Sequence, residues 1–350
     1  MSGIDAREIA CRVERMHSAM DAAGVAALFV GGAKNVEYLT GRDTGRALLS
    51  RDGDFLWTRE LYRELYEGLY SGRVYPYSVY VYEKDAIKKQ IKRMRLKRLT
   101  VENIPLASYE ALGKDLGIKL AATDMVEKQR AVKSDVEIAL LKKSAGLAMK
   151  GMRRAYEVVS SGVREIDALA LIEYEIRSRG SDSPPFNDGM LLSSGKGSAD
   201  IHAKAGTKRI GKNTTVVVDL GGRFCGYYSD MTRTLEVGRA DALCRDLLEF
   251  VDGLRAEAID RIYCGVAAGE VHGFIEREIE KKGYRFYHSG GHGVGLNVHE
   301  LPTVGKDSED ILGENMVFTI EPGIYVPGKY GIRFEDMVLL RKGKTEVLTR

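Results

Sequence analysis

Five residues in the last third of the chain are of types that ligate hard to borderline divalent metals: Asp219, Asp230, His292, Glu321 and Glu335. Each lies in an apolar strand-like run or a glycine-rich turn, where an unpaired charge is costly. Asp219 ends the β-branched run Thr214-Thr-Val-Val-Val-Asp-Leu220, and Asp230 lies in Tyr227-Tyr-Ser-Asp-Met-Thr-Arg-Thr234. Glu321 follows Val317-Phe-Thr-Ile320, Glu335 lies in Gly331-Ile-Arg-Phe-Glu-Asp-Met337, and His292 sits between Gly291 and Gly293, where backbone can approach a ligand closely. Four clustered carboxylates force one another's pKa values upward. Two divalent cations cancel their charge, and water held between such ions loses a proton near neutral pH, because metal binding lowers its pKa to about 7. The chemistry indicated is hydrolysis by activated water. Any one of these acids is equally well explained as a surface or ion-paired residue; the full set in these contexts points to a metal centre.

Strand periodicity orders the neighbours, since side chains two apart share a face. Arg333 and Glu335 are expected to point the same way and Asp336 the other, so Asp336 stays outside the ligand set. Asp230, Thr232 and Thr234 are expected on one face, where the hydroxyls can orient the carboxylates. Two readings of Arg333 stand side by side, an ion pair with a neighbouring acid and a contact to substrate. Among the six histidines, His17 and His272 fall in helical patterns far from other signals, and His288 reads as a support for its neighbours.

Val218-Asp-Leu-Gly, Tyr228-Ser-Asp-Met-Thr-Arg-Thr, Gly291-His-Gly-Val-Gly-Leu-Asn-Val-His-Glu-Leu-Pro302, Phe318-Thr-Ile-Glu-Pro-Gly-Ile-Tyr325 and Gly331-Ile-Arg-Phe-Glu-Asp-Met337 together resemble metallopeptidase family M24. That family includes prolidase (Xaa-Pro dipeptidase), aminopeptidase P and methionine aminopeptidase, and the resemblance covers nearly the whole chain. It implies that Asp219 chelates one ion, that Asp230 and Glu335 bridge two, and that His292 and Glu321 complete the second. It further implies that Glu321 shuttles the proton, and that His202 and His299 face the substrate and stabilise the tetrahedral intermediate. The chain has Ile201 where the family usually has proline before the first of these histidines. The fold implied is an α/β amino-terminal domain of the creatinase/prolidase type, residues 1–125, followed by an α+β pita-bread catalytic domain, residues 126–350. The latter is a curved antiparallel sheet with helices packed on one face.

Length and composition agree with two domains: 350 residues exceed the usual single-domain size, and 44% hydrophobic residues can build substantial cores. The charged start Met1-Ser-Gly-Ile-Asp-Ala-Arg-Glu8 does not read as a secretory signal, and no run approaches the ~20 apolar residues of a membrane span. Four cysteines without a Cys-x-x-Cys pair indicate neither a zinc knuckle nor a disulfide framework, so a cytoplasmic setting is expected. A net charge of +3 is too small to argue for nucleic acid. The basic stretch from Lys88 to Arg98 carries Ile87, Ile91 and Met94 at helical spacing and reads as an amphipathic helix with a solvated face.

The amino-terminal pattern is a helix over 4–23 and short strands at 25–30, 47–50, 54–57, 79–82 and 99–102, with helices near 59–71, 84–95 and 108–117. Lys34-Asn-Val-Glu-Tyr-Leu-Thr-Gly41 resembles the segment found in the amino-terminal domain of prolidase and aminopeptidase P, which methionine aminopeptidases generally lack. Ser134-Asp-Val-Glu137 is a capping-box pattern that opens a helix reaching about residue 159, and further helices are expected near 164–180, 241–263 and 269–283. His299-Glu-Leu-Pro-Thr303 is not a His-Glu-x-x-His zinc motif, and no serine sits in a nucleophile elbow.

The reading is a dinuclear-metal hydrolase of the N-terminal Xaa-Pro bond, an Xaa-Pro dipeptidase ahead of an aminopeptidase P and then a methionine aminopeptidase. Two divalent ions per subunit (Mn, Co, Zn or Fe), a substrate with proline in second position, no nucleic acid or membrane partner, and a homodimer are expected with it. The contrasting class is a metal-free relative that binds peptide or nucleic acid, against which the complete ligand set argues.

Overall fold

The computed structural model describes residues 3–77, 83–183 and 189–350. The chain divides into two compact units, Met1–Arg130 and Ala131–Arg350. The division falls after the 125/126 border expected from sequence, because a short helix at 125–131 belongs largely to the first unit.

The first unit has helices α1 (Ala6–Ala22), α2 (Ala33–Thr40), α3 (Glu83–Arg93), α4 (Leu106–Leu116) and α5 (Met125–Ala131). Its strands are β1 (Ala27–Val30), β2 (Arg46–Ser50), β3 (Phe55–Arg59), β4 (Arg73–Tyr77), β5 (Arg98–Glu102) and β6 (Lys119–Ala122). They form one mixed sheet in the order β4-β3-β2-β1-β5-β6. Ala27, Phe29, Trp57, Leu99 and Val101 on the sheet pack with Ile87 and Ile91 of α3 and Leu112 and Leu116 of α4. α3 thus spends its apolar stripe on the core and leaves Lys89, Lys92 and Arg93 exposed. The buried carboxylate of Glu102 accepts from the Val126 and Glu127 amides and from Asn35 Nδ2, while Arg130 donates to Asn35 Oδ1 at 2.6 Å. The asparagine of the Lys34–Gly41 segment therefore ties the end of β5 to α5. The sequence pattern did not anticipate α2, β6 or α5, and two further stretches differ from it. Residues 60–66 form a 3-10 helix, and β4 was not anticipated because Pro76 and its exposed neighbours hide it. The strand expected at 79–82 lies outside the described residues.

The second unit opens with α6 (Asp135–Val158), whose start carries the capping box: the Glu137 amide donates to Ser134 Oγ, and the Ser134 amide to Glu137 Oε2. Then come α7 (Glu165–Ser178), β7 (Leu191–Ser194), β8 (Thr214–Leu220), β9 (Arg223–Phe224), β10 (Tyr227–Tyr228), β11 (Met231–Val237), α8 (Ala242–Asp260) and α9 (Ala268–Lys281). The remaining strands are β12 (Gly291–Gly293), β13 (Glu300–Val304), β14 (Val317–Ile320), β15 (Gly323–Val326), β16 (Tyr330–Arg333), β17 (Asp336–Arg341) and β18 (Lys344–Val347). All their described pairings are antiparallel, in sheets ordered β11-β8-β7 and β13-β12-β14-β17-β18 with hairpins β9-β10 and β15-β16. An isolated bridge between Thr232 and Glu335 sews the first sheet to the second.

Alternation along the strands decides what faces the helices. Val216, Val218 and Leu220 of β8 share a core with Ala148 and Met152 of α6 and Ile172 and Ile176 of α7. Phe318 and Ile320 of β14 and Val338 and Leu340 of β17 share another with Val251 of α8 and Ile275 of α9. Burying side chains of this size contributes roughly 1.5–3 kcal/mol each. The intervening positions, Asp219 on β8 and Thr319 on β14, point to the opposite face, and the candidate ligands gather there.

Candidate metal centre

Each candidate ligand is delivered by an element fixed nearby. Asp219 takes the non-helical face of β8. Asp230 was expected within a continuous strand; instead it occupies the break between β10 and β11, where it is 5% exposed. That break is held on both sides. Gly222 N donates to Ser229 Oγ at 2.9 Å, and the Tyr228 amide donates to the Gly295 carbonyl at 2.8 Å. Glu335 also lies between strands, with its amide on the Thr232 carbonyl and its Oε2 accepting the Thr232 hydroxyl at 2.7 Å. Glu321 follows β14 directly and donates its amide to the Gly290 carbonyl. The His292 amide donates to Thr319 Oγ1 at 3.2 Å. A side chain at Gly291 would collide with the Thr319 carbonyl, which is why glycine stands beside this histidine.

Around His292 Nε2 the structure places Asp230 Oδ2 at 3.7 Å, Glu321 Oε1 at 3.7 Å and Glu335 Oε1 at 4.0 Å. One ligand atom from each of Asp230, His292 and Glu335 lies within 4.8 Å of the other two. Asp219 joins through Arg333, whose Nη2 donates to Asp219 Oδ2 at 2.6 Å.

The charges are held at a cost. Burial raises the Asp230 carboxyl well above its usual range, and Glu335, Asp219 and Glu321 push it further. Burial likewise raises Glu321, with Glu335 adding to it, and raises Glu335, with Asp219 adding to it. Burial also pushes the His292 imidazole down to about 3, leaving a neutral ring with a lone pair to offer.

Arg333 and Glu335 point the same way, meeting at Thr232 Oγ1, which accepts from Arg333 Nε at 3.2 Å. Thr234 Oγ1 accepts the Arg333 amide at 2.9 Å. Arg333 is 3% exposed, and its guanidinium also donates to the Tyr325 hydroxyl and the Ile201 carbonyl. Its donors are committed within the protein, which favours the ion-pair reading over substrate contact. Asp336 points away, paired with Arg233 at 2.6 Å and with Arg255.

The His299 ring lies against that of His292 with centroids 4.1 Å apart. His202 is exposed on its loop, and the carbonyl of its predecessor Ile201 accepts from Arg333. Two further groups meet here, His288, expected from sequence to be a support, and Tyr325, to which the sequence reading gave no role. His288 Nε2 lies 2.9 Å from the Tyr325 hydroxyl, and His288 Nδ1 lies 3.7 Å from Glu321 Oε2. Burial holds the His288 ring down at about 3 and pushes the Tyr325 hydroxyl up to about 12. The sequence signal for Tyr325 was its place at the end of the segment Phe318-Thr-Ile-Glu-Pro-Gly-Ile-Tyr325.

Asp219 Oδ1, Asp230 Oδ1 and Glu335 Oε1 are buried and have no hydrogen-bond partner. Buried polar atoms are almost always satisfied. Three orphaned carboxylate oxygens beside a neutral imidazole are the donor set that divalent cations satisfy, so the residues fit such ions.

Comparison with known proteins gives the same picture. Residues 139–342 match the model of metallopeptidase family M24, and residues 12–132 match that of the creatinase/prolidase N-terminal domain. The chain is 32% identical to an Xaa-Pro dipeptidase of Pyrococcus horikoshii over 347 residues, 97% of each chain. Its fold is similar to a solved Xaa-Pro dipeptidase from Bacillus anthracis, with a TM-score of 0.90, 29% identity and 98% of each chain covered. It is also similar to an X-Pro aminopeptidase from Thermotoga maritima, with a TM-score of 0.83, 27% identity and coverage of 96% and 97%.

Proposed function

This chain belongs to metallopeptidase family M24, and from that premise we propose that it is a metal-dependent hydrolase of Xaa-Pro dipeptides built on the pita-bread fold. The observation that carries the reading is the cluster of orphaned carboxylate oxygens on Asp219, Asp230 and Glu335 beside neutral His292, in a chain that aligns end to end with an Xaa-Pro dipeptidase.

Asp219, Asp230, His292, Glu321 and Glu335 would hold two divalent ions, whose charge would balance that of the four carboxylates. When bound, such ions supply Lewis acidity that polarises a carbonyl and acidifies water. The protein's own groups do the rest. Glu321 would take a proton from the attacking water and pass it to the prolyl nitrogen, which leaves poorly unless protonated. His299 and His202 donate hydrogen bonds to the oxyanion that develops on the scissile carbonyl. Arg333 fixes the orientation of Asp219, and Thr232 that of Glu335. Manganese, cobalt, zinc and iron all suit these ligands. A homodimer and a cytoplasmic setting complete the reading, the former checked by sedimentation. Among the described residues no helix is long and apolar enough to cross a membrane.

The test compares hydrolysis of an Xaa-Pro dipeptide, an Xaa-Pro-Xbb tripeptide and a Met-Ala-Ser peptide with added manganese, cobalt or zinc. Preference for the dipeptide supports the proposal, preference for the tripeptide makes the protein an aminopeptidase P, and exclusive cleavage of the methionine peptide overturns it.

A further inference from the structure

Outside the ligand set, a buried ion pair lies beside the turn that carries His299. Lys133 Nζ lies 2.6 Å from Glu300 Oε1, with side chains 0% and 6% exposed. The residues are 167 positions apart, so the contact is a product of the fold. Glu300 directly follows His299 and curls back over the turn that precedes it. Its Oε2 accepts the Asn297 amide at 3.2 Å, and its carboxylate occupies the space that a side chain at Gly295 would need. The Gly295 carbonyl in turn accepts the Tyr228 amide, two residues before Asp230. On the other side, the Lys133 amide donates to the Asn315 carbonyl, just ahead of β14, the strand that Glu321 follows.

We propose that the Lys133–Glu300 pair is a positioning device that closes the 295–300 turn and holds the His299 ring against His292. The idea rests on the hydrolytic reading for its consequence, since His299 is the substrate-facing group that it positions. A buried pair of this kind contributes little net stability compared with uncharged replacements of similar volume, whereas removing one partner strands a charge. Positioning and stability are therefore separable by neutralising both residues together.

The experiment uses the full chain carrying Lys133→Met with Glu300→Gln, alongside Glu300→Asp, which keeps the charge but withdraws it by one methylene. Melting temperature, bound manganese and Xaa-Pro hydrolysis are measured on each. The His299 imidazole resonance, assigned with His299→Gln, is followed in metal-free protein. A folded double variant is expected to keep its manganese and its KM and to lose at least about tenfold in kcat, the scale of a misplaced transition-state contact. Its His299 resonance is expected to shift away from the wild-type position. Glu300→Asp is expected to show a smaller loss of the same kind, and it carries the test by the same readouts if the double variant does not fold. Wild-type kcat and an unmoved resonance in a folded variant overturn the proposal, as does a kcat that falls only in proportion to the folded fraction. If wild-type protein hydrolyses no Xaa-Pro substrate, the functional reading fails while the resonance still decides the positioning.

Discussion

Arg333 Nη2 donates to Asp219 Oδ2 at 2.6 Å, in a setting where the other Asp219 oxygen is buried without a partner. The guanidinium thus serves as a fixed counter-charge on one side of Asp219 and leaves the orphaned oxygen for a cation. Because Arg333 also meets Tyr325, Ile201 and Thr232, its removal disturbs more than one contact.

Arg333→Met strands the Asp219 charge in the metal-free protein, where breaking a buried pair costs about 3–5 kcal/mol. Bound cations replace part of the missing positive charge. Denaturant unfolding with and without chelator is expected to show a larger loss in the metal-free state. Equal losses in both states contradict the counter-charge role.

Asp230→Asn is expected to change stability with opposite signs in the two states. In chelated protein it relieves repulsion with Glu335, Asp219 and Glu321 and removes a carboxylate that burial disfavours, so the melting temperature rises. With metal present it loses a ligand, so less of the stabilisation returns, which for the wild type is about 2.7 kcal/mol at a hundredfold excess over Kd. Turnover is expected to vanish. A lower melting temperature in chelator, or unchanged turnover, rejects the assignment.

Thr232→Val deletes the hydroxyl that donates to Glu335 Oε2 at 2.7 Å. Loss of a group that orients a ligand costs on the order of 10–100-fold in metal affinity. Calorimetric metal titration is expected to show that drop with the fold intact by circular dichroism. Unaltered affinity rejects the orienting role.

Glu102, in the first unit, supplies a pH dependence. Burial raises its carboxyl to about 7, against the opposing amides of Val126 and Glu127. A raised carboxyl pKa means the folded state binds more protons than the unfolded state, so stability falls as pH rises between the two values. The penalty is absent below the unfolded value of 4.5, grows toward pH 7 and is then constant. Glu102→Gln lacks this term, so wild-type stability relative to the variant is expected to decline from pH 4.5 to 7 by hydrogen exchange in the strand 98–102. A flat difference, or one that grows with pH, contradicts it.

The sequence made plain whatever local pattern determines. Ser134 and Glu137 announce their helix because both halves of the capping box lie within one turn. Asp219 stands out because it is the one carboxylate in the β-branched run Thr214–Leu220. Hidden from sequence were the relationships that only folding creates. His288 was read as a support, yet a partner 37 residues away, Tyr325, brings its ring to Glu321. Nothing in the sequence around Lys133 points to Glu300, which only the fold places against it. The strand 73–77 escaped notice because most of its side chains face solvent and its pattern carries no apolar alternation. The breaks at Asp230 and Glu335 were missed because a run of strand-forming residues gives no sign that the backbone leaves the ladder at its most charged position.

The measurement that bears most directly on the central claim is native mass spectrometry of protein loaded with manganese. Two ions per chain in the wild type and fewer in Asp230→Asn are expected if these acids hold a metal pair. A wild-type chain that binds no ion, or an Asp230→Asn chain with the same stoichiometry, contradicts the account.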